Sequence, residues 1–110
     1  MNVKEYNFKY GLFLAPMAGV TDRAYRSLCV RYGAELVTTE LVSAKAVTMG
    51  DERTFRLASL TEEELPGAIQ IFGSDPDVMG EAAYKLMRLS PDMIDINMGC
   101  LLYTSPNPRD

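Results

Sequence analysis

MIDINMGC, residues 93–100, alternates in the manner of a strand: Ile94 and Ile96 share one face, while Asp95 and Asn97 share the other. A parallel strand covered on both faces is usually apolar throughout. Here one face is polar and the strand runs directly into Gly99 and Cys100. That face is expected to meet a cavity or a ligand, so the stretch reads as the floor of an active site.

The same Ile-polar-Ile alternation recurs upstream in residues 67–72 (GAIQIF), where Ile69 and Ile71 share a face and Gln70 lies on the other. Residues 34–42 (AELVTTELV) are β-branched enough for a further strand ending near Glu40. Residues 11–17 (GLFLAPM) give a short apolar strand, closed where Pro16 biases Ala15 to extended geometry. Helical patterns lie between. Thr21 precedes a helix opened by Asp22 and Arg23, with Tyr25, Leu28, Cys29 and Tyr32 on one apolar face and Gly33 at its stop. Residues 43–49 form a short helical piece, and residues 51–64 are polar, with Glu62, Glu63 and Glu64 expected in solvent. Asp75 and Pro76 open a helix whose apolar stripe is Met79, Ala82, Ala83, Leu86 and Met87, stopped at Ser90-Pro91.

Strand and helix thus alternate, which argues a parallel sheet of βαβ units, either a barrel or an open doubly wound sheet. Two features favour the barrel. No strand-to-helix turn carries a GxGxxG or GxxxxGK[ST] phosphate fingerprint. Pro16, Met17, Glu40, Gln70, Asn97 and Cys100 fall at or near the C-terminal ends of successive strands, where barrel enzymes keep their sites. The fold class is therefore α/β, the N-terminal part of a TIM (β/α)8 barrel. A whole barrel takes roughly 250 residues, so these 110 are expected to hold about three and a half βα units and to be incomplete. Residues 101–110 (LLYTSPNPRD) break the pattern with Pro106 and Pro108. They are read as a non-native or disordered tail after a barrel portion spanning residues 1–100.

Bulk properties narrow the chemistry. A net charge of -4 gives no general basic footprint. Cys29 and Cys100, behind a polar start without a signal-peptide pattern, point to reduced thiols in a cytoplasmic setting. No apolar run reaches the roughly 18 residues of a membrane helix. Histidine is absent, which removes the commonest general acid/base and metal ligand, and no metal site is expected.

Four segments carry a family resemblance: residues 14–26 (LAPMAGVTDRAYR), 39–44 (TELVSA), 70–76 (QIFGSDP) and 95–100 (DINMGC). In order and spacing they resemble the signatures of the tRNA-dihydrouridine synthases. The resemblance implies a TIM barrel holding FMN, reduced by NADPH, and acting on tRNA. It also implies roles: Pro16, Met17 and Ala18 along the flavin, Gln70 on the polar edge of its pyrimidine ring, Asn97 beside flavin and uracil, and Cys100 as proton donor. A proline normally follows that cysteine in the family, and here Leu101 does.

The chemistry suits these residue types. Reducing the 5,6 double bond of uracil takes a hydride at C6 and a proton at C5. The flavin supplies the hydride. A neutral thiol suits the proton, and the sequence sets no Lys, Arg or His beside Cys100. An amide offers both donor and acceptor to a ring edge that presents both. Plainer roles stay open. Cys100 also fits a small buried hydrophobe, Gln70 and Asn97 also fit backbone satisfaction, and Glu40 also fits a solvated strand end. Arg23 and Arg26 fit either a phosphate contact or a solvated helix face. Two other functions compete: another FMN-dependent barrel reductase, of the dihydroorotate dehydrogenase or ene-reductase kind, and a non-catalytic truncated polypeptide. The fragment by itself is expected to be inactive.

Overall fold

The computed structural model describes residues 2–3 and 5–99, so Cys100 and the 101–110 segment lie outside the described residues. An antiparallel hairpin, β1 (Asn2–Val3) and β2 (Tyr6–Asn7), precedes a parallel sheet of β3 (Phe13–Leu14), β4 (Leu36–Thr38), β5 (Val42–Ser43), β6 (Gly67–Phe72) and β7 (Met93–Ile96). β4 pairs the start of β6 and β5 pairs its end, so these two are pieces of one strand. The spatial order is then β3, β4 with β5, β6, β7, which is also the chain order. A doubly wound sheet reverses at a switch point. This one does not, as consecutive barrel strands require.

The break between β4 and β5 departs from the single strand expected over residues 34–42. Its cause is Thr39, which is fully buried. Its amide donates to the Ala68 carbonyl at 3.0 Å, and its Oγ1 accepts from the Gln70 amide at 3.2 Å. A side chain here takes over a ladder bond, and the strand kinks.

Four helices follow: α1 (Arg23–Arg31), α2 (Ala44–Thr48), α3 (Glu52–Ala58) and α4 (Pro76–Leu86). Ile69 and Ile71 of β6 are buried with Ala44 and Val47 of α2, Phe55 and Ala58 of α3, and Ala82 and Leu86 of α4. The helices therefore cover the odd-numbered face of β6, and the Gln70 face is left to the barrel interior. Gly67 is required by close approach, since a Cβ there would stand 2.9 Å from Leu60 Cδ1 and 3.0 Å from the Glu64 carbonyl oxygen.

Four readings are corrected. The cap of α1 is Asp22, whose Oδ1 accepts from the Tyr25 amide at 2.8 Å; Thr21 is buried and closes the preceding loop instead. The apolar face of α1 is largely exposed, with Leu28 at 49% and Tyr32 at 84%, and the buried residue of that helix is Arg26. Its guanidinium donates from Nε to Glu64 Oε2 at 3.0 Å, from Nη1 to the Thr21 carbonyl at 2.8 Å and from Nη2 to the Ser59 carbonyl at 3.3 Å. Arg26 is thus no solvated residue, and neither is Glu64, 1% exposed in the 3-10 turn Glu62–Glu64. Burial of one charge requires burial of its partner.

The N-terminal ends of the strands are closed by the hairpin. Phe8 is buried edge-on against Phe13, with ring centroids 4.9 Å apart. The Tyr6 hydroxyl donates to Asp92, a bond that raises the phenol above its usual range. Asp92 Oδ2 also accepts from the Gly67 amide at 2.9 Å. Glu35 fastens the segment before β3, accepting from the Tyr10 amide at 3.0 Å and the Leu12 amide at 2.7 Å.

Candidate active site

The opposite, C-terminal ends of the strands carry the residues singled out from the sequence. Pro16, Met17 and Ala18 follow β3 in a loop held by Thr21. The Thr21 Oγ1 accepts from the Met17 amide at 2.9 Å, and the Thr21 amide donates to the Met17 carbonyl at 2.9 Å. Gly19 sits at φ +76, the left-handed geometry that favours glycine, and its amide donates to Glu40 Oε1 at 2.6 Å. Glu40 is therefore no idle strand end. It joins the segment after β4 to the loop after β3, in which Met17 is 41% exposed.

β6 and β7 supply the polar groups. Their register sets Gln70 opposite Asp95, so both side chains leave the sheet on the face away from the helices. Gln70 Nε2 donates to Asp95 Oδ2 at 2.6 Å, and Gln70 Oε1 accepts from Asn97 Nδ2 at 3.5 Å. A carboxylate accepts only, so Asp95 fixes which end of the Gln70 amide faces which way. Gln70 keeps one N–H and spare acceptor capacity on Oε1. Asn97 is set by a second bond, its Oδ1 accepting from the Gly99 amide at 2.9 Å. Both amides are thereby oriented before any ligand arrives.

This network borders the inner face of the sheet. A cavity of about 370 Å³ there is lined by Phe13, Ala15 and Pro16 of the first strand and its loop, with Thr38, Ala68 and Asp95 on the following strands. Small side chains at Ala15, Thr38 and Ala68 leave space for a flat ring, and the oriented Gln70 amide stands beside Asp95 at the margin. The residues present therefore fit a flavin: an apolar wall, a proline-led loop, and an amide with donor and acceptor free.

The structure thus brings Gln70 and Asn97 together and sets Pro16 on the wall of a cavity that Asp95, the partner of Gln70, also lines, while Cys100 lies outside the described residues. Asp95 and Thr21 were not singled out for the site, although one orients Gln70 and the other shapes the loop. Asp95 had a signal, its place on the polar face of residues 93–100. Thr21 had none beyond a cap-like position. Among the described residues no helix is long and apolar enough to cross a membrane, and no cluster of His, Cys, Asp or Glu is placed to hold a metal ion.

Comparison with known proteins bears on the same segment. The family model described as dihydrouridine synthase (Dus) matches residues 13–104. tRNA-dihydrouridine synthase B of Shewanella oneidensis is 40% identical over 100 residues, covering 91% of this chain and 31% of the relative. The protein of the same name from Pseudomonas aeruginosa is 43% identical over 101 residues, 91% of this chain and 30% of its own. A probable tRNA-dihydrouridine synthase of Aquifex aeolicus is 48% identical over 96 residues, 86% of this chain and 30% of its own. The chain spans less than a third of the length of these curated relatives. It belongs to the dihydrouridine synthase family, and its singly wound parallel sheet is part of that family's TIM barrel.

Proposed function

We propose that this segment supplies flavin- and uracil-facing strand ends to an enzyme that reduces specific uridines of tRNA to 5,6-dihydrouridine. The observation that carries the reading is the meeting of Gln70 and Asn97, from adjacent strands, on the sheet face opposite the helices. Family membership and the names of the relatives support it. FMN, reduced by NADPH, supplies a hydride for C6 of the uracil when bound. Pro16, Met17 and Ala18 lie along one side of the ring system and shield it from water. Gln70, locked by Asp95, meets the donors and acceptors of the pyrimidine edge. Asn97 orients the uracil from the end of β7. Cys100, three residues further on, gives its thiol proton to C5 and is reprotonated from solvent.

The test uses unmodified tRNA, NADPH and a complete synthase carrying this segment. Dihydrouridine is expected to form, and Cys100→Ala to slow its formation about 10²-fold or more, the usual contribution of a positioned acid. Reduction of a free enone, or oxidation of dihydroorotate, with tRNA left unchanged would overturn the reading.

A further inference from the structure

The chain is acidic overall, with a net charge of -4, yet its guanidinium groups converge on one place. A cleft of about 510 Å³ between α1 and α3 is lined by Arg23, Arg26, Arg53 and Arg56, with Asp22 and Glu40 on its walls. Arg26 is already matched by Glu64. Arg23, Arg53 and Arg56 are exposed and form no ion pair among the described residues. Several other surface cations are engaged: Arg31 pairs with Glu63, Lys85 with Glu81, and Arg88 lies 3.7 Å over the Phe55 ring. The two acids of the cleft each hold a backbone amide, Asp22 that of Tyr25 and Glu40 that of Gly19. Three guanidinium groups without a salt bridge are left facing one space, Arg53 being near enough to Asp51 to feel its charge.

The chemistry of that space selects an occupant. Guanidinium forks match phosphate oxygens bidentately. No aromatic side chain lines the cleft, so it has no platform on which a base could stack. It is suited to a phosphodiester backbone. Its wall residue Glu40 holds Gly19, and Arg23 follows the Pro16–Ala18 loop within the same turn of chain, so the cleft flanks the candidate site.

We propose that this cleft grips the sugar-phosphate backbone of RNA next to the target uridine, with Arg23, Arg53 and Arg56 as its phosphate ligands. The proposal rests on the reading above that tRNA is the substrate. Phosphate contacts of this kind position the RNA and carry no sequence information.

The experiment measures tRNA binding by fluorescence anisotropy across a salt series, in the complete synthase carrying this segment. Arg53→Gln with Arg56→Gln is expected to weaken binding roughly tenfold and to flatten the slope of log K against log salt by about 1 per arginine removed. Arg53→Lys with Arg56→Lys keeps the charges and is expected to keep most of that slope. The KM for NADPH should stay where it is. Unchanged tRNA affinity and slope in the Gln variant would overturn the proposal. So would a raised KM for NADPH with tRNA binding intact, which would assign the cleft to the phosphates of the dinucleotide. Because binding is read without turnover, an enzyme that holds tRNA through this cleft but forms no dihydrouridine overturns the activity and leaves the cleft standing.

Discussion

Arg26 holds together parts of the chain that meet only in the folded state: the 3-10 turn through Glu64, the end of α3 through the Ser59 carbonyl, and the site loop through the Thr21 carbonyl. The side chains of Arg26 and Glu64 are 2% and 0% exposed. Removing one member of such a pair leaves a buried charge and costs about 3–5 kcal/mol, whereas replacing both by apolar residues is often neutral. Arg26→Met is therefore expected to lower the midpoint of chemical unfolding sharply, and Arg26→Met with Glu64→Leu to recover most of it. A double variant no more stable than the single would show that the three hydrogen bonds, and not the matched charges, carry the effect. Nothing in the sequence marked this pair. A charged residue on a helical pattern reads as solvated, and its partner is 38 positions away in the chain, in an acidic run whose own local preference is for water.

At the scale of elements, β6 and β7 were legible because alternation survives where one face carries the packed residues and the other the polar ones; both lie where their Ile-polar-Ile patterns placed them. α3 was not legible, since its seven residues, ERTFRLA, lie in a polar stretch and give only Phe55, Leu57 and Ala58 as apolar positions. The link before β3 was hidden for a different reason: Glu35 acts as a surrogate strand, accepting the backbone amides of Tyr10 and Leu12. Those bonds favour the carboxylate and hold Glu35 below its ordinary value of 4.5. A lowered folded-state pKa contributes stability that is complete above the ordinary value and is lost as the pH falls through the folded one. Glu35→Gln is accordingly expected to melt below the wild type at neutral pH, with the gap closing as the pH drops below 4.5. A gap that stayed constant down to the acid limit would mean that the bonds to Tyr10 and Leu12 survive protonation and that the charge contributes nothing.

For the molecule as a whole, chain-order pairing of the strands follows from the absence of a switch point, and that order separates two ends. Toward the N-terminal ends, Tyr6, Phe8, Gly67 and Asp92 close the sheet with hydrogen bonds and ring contacts. Toward the C-terminal ends, Gln70 joins Asn97 to Asp95, which lines a cavity. In barrels the first end governs stability and the second chemistry, so substitutions at the two ends should part company. Asp92→Ala removes the acceptor for the Tyr6 hydroxyl and for the Gly67 amide, and is expected to lower Tm by a few degrees while leaving flavin content and the KM for tRNA unchanged. Gln70→Ala removes the amide proposed for the flavin edge and leaves Asp95, exposed at the end of β7, to water. It is expected to lower flavin content and kcat with little change in the Tm of the flavin-free protein. Both are measured on a complete synthase carrying this segment, by melting and by the visible absorbance of the bound flavin. If Asp92→Ala emptied the flavin site well below its melting temperature, the two ends would be coupled through β6 and β7, and the division of labour along the strands would fail.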